Sequence, residues 1–162
     1  YGTSAEEIMS ISPDGLFLTN GPGDPQEAAE GIETVKALVG ELPIFGVCMG
    51  HQVLALAMGG KTYKLKFGHR GGNHGVFDRE SGRSFIVAQN HGYAVDGDSL
   101  IFKGMEMVYI NLNDMSVEGM KHRSLPLFSV QFHPEACAGP EDTNMLFDKF
   151  IEMMGENNAK GQ

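Results

Sequence analysis

The stretch from Pro43 to Met58, "PIFGVCMGHQVLALAM", leaves a chain few ways to fold. Up to Cys48 it holds no polar position and no alternation, the pattern of a strand covered on both faces. From His51 on it reads as a helix, closed by Gly59 and Gly60. A strand covered on both faces needs helical layers above and below it, so strand followed at once by helix points to an α/β domain. Between strand and helix stands Cys48, with Gly46 two positions before it and Gly50 two after. Glycines at those places imply a turn tight enough that neighbouring backbone passes where a Cβ would collide.

The rest of the chain fits that plan. "GLFLT" is a short apolar strand followed by the turn "NGPGDP". Asp24 is positioned as a helix N-cap, Pro25 as the first helical residue and Glu27 as the third, close to a capping box. Ile32, Val35, Leu38 and Val39 recur at helical spacing and would face a sheet. From Lys61 the pattern shortens to period-two segments, "KTYKLKF", "SFIVAQ" and "MVYINL", before the strand "LFSVQF". Leu146, Phe147, Phe150, Ile151 and Met154 mark a closing amphipathic helix. These elements predict one α/β domain over residues 1–154, a largely parallel sheet flanked by helices, and a flexible tail over 155–162, "GENNAKGQ".

Composition narrows the partners. A net charge of −9 disfavours nucleic acid or an anionic membrane surface. No apolar run approaches the roughly 18 residues of a membrane span. Two cysteines, Cys48 and Cys137, are too few for a disulfide framework and suit a reducing cytoplasm. The chain opens on Tyr1 without an initiating methionine or a signal-peptide pattern, and so reads as part of something longer.

Three apolar strands each end in an unusual turn: "NGPGDP", "GVCMGHQ" and "FHPEA". In an open α/β sheet ligands bind beyond the carboxyl ends of the strands, so these turns mark a candidate site. The Cys48 turn has the form of a nucleophile elbow, G-x-nucleophile-x-G, with cysteine in place of serine. Unpaired N–H groups and the dipole of the following helix are expected to lower the thiol pKa. A buried structural cysteine beside two packing glycines is the competing reading. A cysteine nucleophile needs a base, and the base an orienting group. His133 and Glu135 end the strand "LFSVQF", and two-residue alternation would bring imidazole and carboxylate to one side if the extended form persists. Gly21 and Gly23 could turn main-chain N–H groups, with that of Met49, toward a substrate oxyanion.

At these motifs the sequence resembles the class I (triad) glutamine amidotransferases, which carry a G-x-C-x-G-x-Q elbow and a later H-P-E. "LKFGHRGGNH", "QNHGYAVD", "YINLNDMSVEGM" and "FHPEACAGPEDTNMLFDKFI" are similar to the small, glutamine-hydrolysing subunits of carbamoyl phosphate synthetases, from about Pro13 to Met154. The resemblance implies a flavodoxin-like α/β fold whose amino-terminal strands, and a separate domain ahead of them, precede Tyr1. It implies Cys48 as nucleophile with His133 and Glu135 completing the triad. It implies glutamine contacts at Gly21, Gly23, Met49, Gln52, Asn90, Gly92 and Tyr93, with an Asn90–Tyr93 turn holding the α-amino and α-carboxylate end.

The implied reaction is hydrolysis of L-glutamine to glutamate and ammonia through a cysteine thioester. The ammonia would pass to a large ATP-dependent subunit making carbamoyl phosphate for arginine and pyrimidine synthesis. ATP and magnesium would belong to that subunit, leaving this chain without a cofactor or metal. His69 and His74 lie close in sequence, but no cysteine or carboxylate spacing beside them supports zinc. Met115 stands where the resemblance calls for glycine, which puts that hairpin turn in question. Cys137 stands where serine is more usual and reads as a bystander. Three other readings stay open: the glutaminase of a GMP or anthranilate synthetase, a peptidase-like cysteine hydrolase of the same fold, and a catalytically silent module.

Overall fold

The computed structural model describes residues 2–136 and 145–160. Helix α1 (Ala5–Ser10) opens the order, followed by strand β1 (Leu16–Leu18), a 3-10 turn (Pro25–Glu27) and helix α2 (Ala29–Leu38). Strand β2 (Ile44–Val47) and helix α3 (Met49–Ala57) follow without a loop beyond Cys48. Then come β3 (Lys61–Asp78), β4 (Ser84–Asp96), β5 (Met105–Asn111), β6 (Val117–His122), β7 (Leu127–Val130) and helix α4 (Met145–Lys160).

The seven strands form one sheet in the order β1-β2-β7-β6-β4-β3-β5, with β6 also paired to β5. Strands β1, β2 and β7 are parallel, Ile44 lying between Leu16 and Leu127. Every pairing among β3, β4, β5 and β6 is antiparallel, as is that of β6 to β7. The sheet is therefore mixed, and the largely parallel one expected is confined to three strands. The reason lies in the connections. Short links join β3 to β4 and β5 to β6, while a parallel neighbour requires a crossover of a dozen residues or more. Because β6 closes back on both β4 and β5, the antiparallel half is barrel-like.

β2 is the centre of the packing, buried at all four positions. Alternation sends Ile44 to a cluster with Val35, Leu54 and Ala55 of α2 and α3, and Phe45 to the opposite cluster with Leu146 and Phe150 of α4. Phe45 is fully buried and stacks on Phe128 with centroids 4.4 Å apart. Burying such a ring is worth roughly 1.5–3 kcal/mol. Helices on both faces thus hold rigid the strand that ends at Cys48. No helix among the described residues is long and apolar enough to cross a membrane.

Several local expectations need correction. Asp24 caps only the 3-10 turn, accepting from Gln26 N at 3.0 Å, and α2 starts afresh at Ala29. A full capping box occurs instead at Ser4 and Glu7 of α1. Ile151 is exposed, outside the buried face of α4. The segment expected as a flexible tail is helical through Lys160, and Asn158 donates to Asp14 at 2.7 Å. Asn90–Tyr93 is no turn but the middle of β4, with Asn90 opposite Arg70 and His91 opposite His69. The Met115 hairpin does form, with Met115 left-handed at φ 62° and Asp114 Oδ1 accepting from Ser116 N at 3.0 Å.

Candidate active site

The elbow is built by close approach. A Cβ added to Gly46 would stand 2.7 Å from the Gly50 carbonyl oxygen, and one added to Gly50 would overlap the carbonyl of Leu18. Neither position admits another residue without moving backbone. Cys48 itself is strained, at φ 54° and ψ −106°, a conformation that costs an L residue of order 1–3 kcal/mol. The turn is pinned from outside by Cys48 N donating to Val130 O of β7 at 2.9 Å. The sequence signal for the elbow is thus matched by its physical cause.

The thiol departs from expectation. Burial pushes Cys48 up to about 11; the Met49 N–H pulls it down, while Glu135 and Glu118 push it further up. At 4% exposure the sulfur has little water to stabilise a thiolate. Burial thus outweighs the helix end and favours the thiol, which would call for a base to take its proton. Sγ also lies 3.9 Å from Asn90 O, a long contact for a thiol donor.

The arrangement of His133 is that expected of such a base. His133 N donates to Ala88 O at 2.9 Å, which anchors the residue to β4. The chain then leaves the extended form for a 3-10 turn at Pro134–Ala136. That turn, rather than strand alternation, brings Glu135 Oε1 to 2.8 Å from His133 Nδ1. A carboxylate only accepts, so Nδ1 carries the proton and Nε2 is the nitrogen able to exchange one.

A cavity of about 490 Å³ joins these pieces. Gly21, Gly23, Cys48, Met49, Gln52, Asn90, Gly92, Tyr93 and His133 all line it. Glu135 does not, standing behind His133. Asn20, Pro22, Arg70 and His91 complete the lining; Asn20, Pro22 and His91 fall inside the turns marked in the sequence without being singled out as contacts, and Arg70 was missed. Only the position of Arg70 inside "GHRGGNH" could have flagged it. Gln52 is buried, and its amide nitrogen is committed to Tyr93 O at 2.8 Å and Gln131 Oε1 at 2.9 Å. It ties α3 to β4 as well as facing the cavity. Desolvation, then the Asp24 carboxylate, raise the pKa of the Tyr93 hydroxyl. Cys137 lies outside the described residues.

Among the described residues one group brings metal-ligating atoms together, His69, His91 and Glu118, all within 4.8 Å. His69 Nδ1 already faces both His91 Nε2 and Glu118 Oε1, and Glu118 Oε1 also accepts from Asn111 Nδ2, so the three form a polar network. His74 joins no such group; its Nε2 lies 3.0 Å from Arg70 O. What the cavity can do chemically is covalent acyl transfer, with a buried thiol, a carboxylate-oriented imidazole and a helix start around one space.

Comparison with known proteins agrees with that chemistry. The family model for glutamine amidotransferase class-I matches residues 1–153. The carbamoyl phosphate synthase small chain of Clostridium acetobutylicum is 60% identical over 153 residues, covering 94% of this chain and 44% of the relative. That of Fusobacterium nucleatum is 57% identical, covering 99% of this chain and again 44% of the relative. The chain thus spans less than half the length of these relatives. Among solved structures, a GMP synthase component from Thermoplasma acidophilum superposes with a TM-score of 0.82 at 22% identity. The match covers 99% of this chain and 81% of that one, a likeness of fold. With its elbow, its His133–Glu135 pair and a family match along almost its whole length, this chain belongs to the class-I glutamine amidotransferases.

Proposed function

We propose that this chain is the glutaminase part of a carbamoyl phosphate synthase small chain, hydrolysing L-glutamine to glutamate and ammonia. The observation that carries the reading is one cavity lined by both the Cys48 thiol, at a strained elbow, and the His133 imidazole, oriented by Glu135. The name shared by the relatives, carbamoyl phosphate synthase small chain, supports the identity of the synthase.

In the first half-reaction His133 takes the thiol proton as Cys48 Sγ bonds to the side-chain amide carbon of glutamine. The carbonyl oxygen becomes an oxyanion that accepts from Met49 N–H and from the main chain at Gly21 and Gly23. His133 then returns the proton to the amide nitrogen, the C–N bond breaks, and ammonia leaves a thioester. In the second half His133 removes a proton from water, hydroxide adds to the thioester carbon, and the C–S bond breaks to give glutamate and the thiol. Asn90, Gly92 and Tyr93 would hold the α-amino and α-carboxylate end, and Gln52 would position that wall. The ammonia would pass to a large, ATP-dependent partner chain in the cytoplasm, to which ATP and magnesium would belong. This chain itself would need no cofactor or metal, and neither nucleic acid nor membrane.

The test uses the full-length chain with its large partner and glutamine labelled in its carbon skeleton. Cys48→Ser should abolish trapped thioester, while Cys137→Ser should keep it. Equal loss in both variants would refute the assignment of the nucleophile.

A further inference from the structure

Behind the Asn90–Tyr93 wall lies a row of polar side chains that no step of the hydrolysis uses. Glu118 on β6 is fully buried. Its Oε1 accepts from Asn111 Nδ2 at 2.9 Å and stands 3.5 Å from His69 Nδ1, while its Oε2 has no hydrogen-bond partner among the described residues. A carboxylate buried in that condition is stabilised most by a cation close by.

His69 is placed to be that cation. Its Nε2 lies 2.9 Å from Asp114 Oδ2 and its Nδ1 3.2 Å from His91 Nε2. His91 Nδ1 in turn lies 2.7 Å from Tyr93 O. Hydrogen-bond logic then fixes the protons. A carbonyl only accepts, so His91 Nδ1 bears hydrogen, and in the neutral ring, the form that burial favours, Nε2 is bare. A carboxylate only accepts, so His69 Nε2 bears hydrogen. His69 Nδ1 then faces two acceptors, His91 Nε2 and Glu118 Oε1. With His91 neutral and Glu118 a carboxylate, a neutral His69 would set a lone pair against both, whereas the doubly protonated ring satisfies all four contacts. Gln89 reaches the same His91 nitrogen at 2.8 Å, and with its amide turned over its otherwise unpartnered Nε2 donates there too.

The surrounding charges agree. Glu118 faces His69 from β6 and Asp114 from the β5–β6 turn, against His91 on β4 and His74 on β3, whose ring centroid is 5.5 Å away. The Glu118 hydrogen bond outweighs burial and, with Asp114, pushes His69 up to about 9.

We propose that His69, held as an imidazolium between Glu118 and Asp114, is a positioning residue that locks His91 in the tautomer clamping the Tyr93 carbonyl, and through it the substrate wall of the cavity. The Tyr93 oxygen is gripped twice, by His91 and by Gln52 Nε2. Losing the first grip frees the wall without touching Cys48 or His133. Glutamine binding should therefore suffer before the chemical steps do. The proposal rests on the glutaminase reading for its kinetic consequence but not for its structural one.

The test is made on the full-length chain with its partner, comparing the parent with Glu118→Gln and, should that variant fold poorly, Asp114→Asn. Ring-nitrogen NMR at pH 7.5 should show both nitrogens of His69 protonated in the parent and only Nδ1 protonated in His91. In Glu118→Gln, His69 should lose a proton by pH 8. KM for glutamine at pH 8 should then rise about fivefold, the worth of one ordinary hydrogen bond, with kcat changed less than about twofold. The rise should vanish at pH 6, where His69 regains its charge. A neutral His69 in the parent at pH 7.5, a stoichiometric bound metal, or a KM that does not move would each overturn the proposal. If the parent hydrolyses no glutamine at all, the glutaminase reading fails, and the ring-nitrogen pattern alone decides the network.

Discussion

Replacing Gly50 by alanine tests the elbow most directly. The new Cβ would meet the Leu18 carbonyl, with Leu18 Cβ at 2.6 Å and Leu18 C at 2.7 Å. Ordinary carbon contacts sit near 3.5–4.0 Å, so β1 or α3 must retreat by about 1 Å. The obstacle is main chain, and it cannot swing away as a side-chain tip would. Overpacking costs typically 1–3 kcal/mol, and a backbone obstacle belongs at the upper end, about 3 kcal/mol. For a chain of this length each kcal/mol moves Tm by roughly 2–4 °C, so a fall of roughly 6–12 °C is expected by circular dichroism. Leu18 leads directly into the Asn20–Gly23 rim of the cavity, and a 1 Å misplacement costs rate on the order of 10². Glutamine turnover should therefore fall by about that factor even well below Tm. Gly31→Ala is the control. Gly31 lies within α2, and a methyl group placed on it would meet nothing within 4 Å. That substitution should stabilise by roughly 0.5–1 kcal/mol. A Gly50→Ala protein melting within about 2 °C of the parent and turning over normally would refute the close-approach argument.

Three more outcomes are expected. Alkylation of Cys48 in the unliganded protein should accelerate with pH toward about 11, since burial raises the thiol from 9.0 and each unit removes tenfold of thiolate, about 100-fold in all; fast alkylation independent of pH between 6 and 8 would mean a resting thiolate–imidazolium pair instead. Glu135→Gln should slow turnover much less than His133→Ala, because an amide can still accept from His133 Nδ1; a greater loss with glutamine at 135 would make Glu135 more than an orienting group. Met115→Gly should raise stability by roughly 0.5–1 kcal/mol in urea unfolding, since the left-handed conformation costs an L residue roughly 1–2 kcal/mol and the freer unfolded glycine returns part of the gain; a destabilised variant would show that Met115, exposed as it is, holds a contact that matters.

The parallel half of the molecule was legible because its signals are local. The unbroken apolar run of β2, the glycine pair and the helical spacing of Val35 and Leu38 each report a single element. The antiparallel half was not. β3 runs through Gly68, Gly71, Gly72 and Gly75, residues that usually interrupt strands, and two register shifts let it continue. The α1 capping box was written in plain view at Ser4 and Glu7, yet a helix with no buried residue offers no apolar stripe to find. Proximity across strands lay furthest from reach. Nothing in the spacing of His69, His91 and Glu118 says that three strands bring them within 4.8 Å. The thiol shift was misjudged for a similar reason, since the helix start is a local feature and the burial around Cys48 is assembled by distant segments.

The hydrogen bond from Cys48 to Val130 has a consequence for biosynthesis. β2 finds its partner β7 only after the whole antiparallel half has been made, since Ile44 pairs with Leu127. A ribosome releasing this chain therefore exposes the elbow sequence long before the strand that pins it. β3 and β4, joined by a short link, can zip as soon as they emerge, whereas the long loop between β2 and β7 must close against chain entropy. The wall of the cavity is thus built early and the Cys48 elbow is set late. A nascent chain halted before Val130 would carry Cys48 without the hydrogen bond that pins its turn, so the proposed catalytic geometry arrives only with the completion of the sheet.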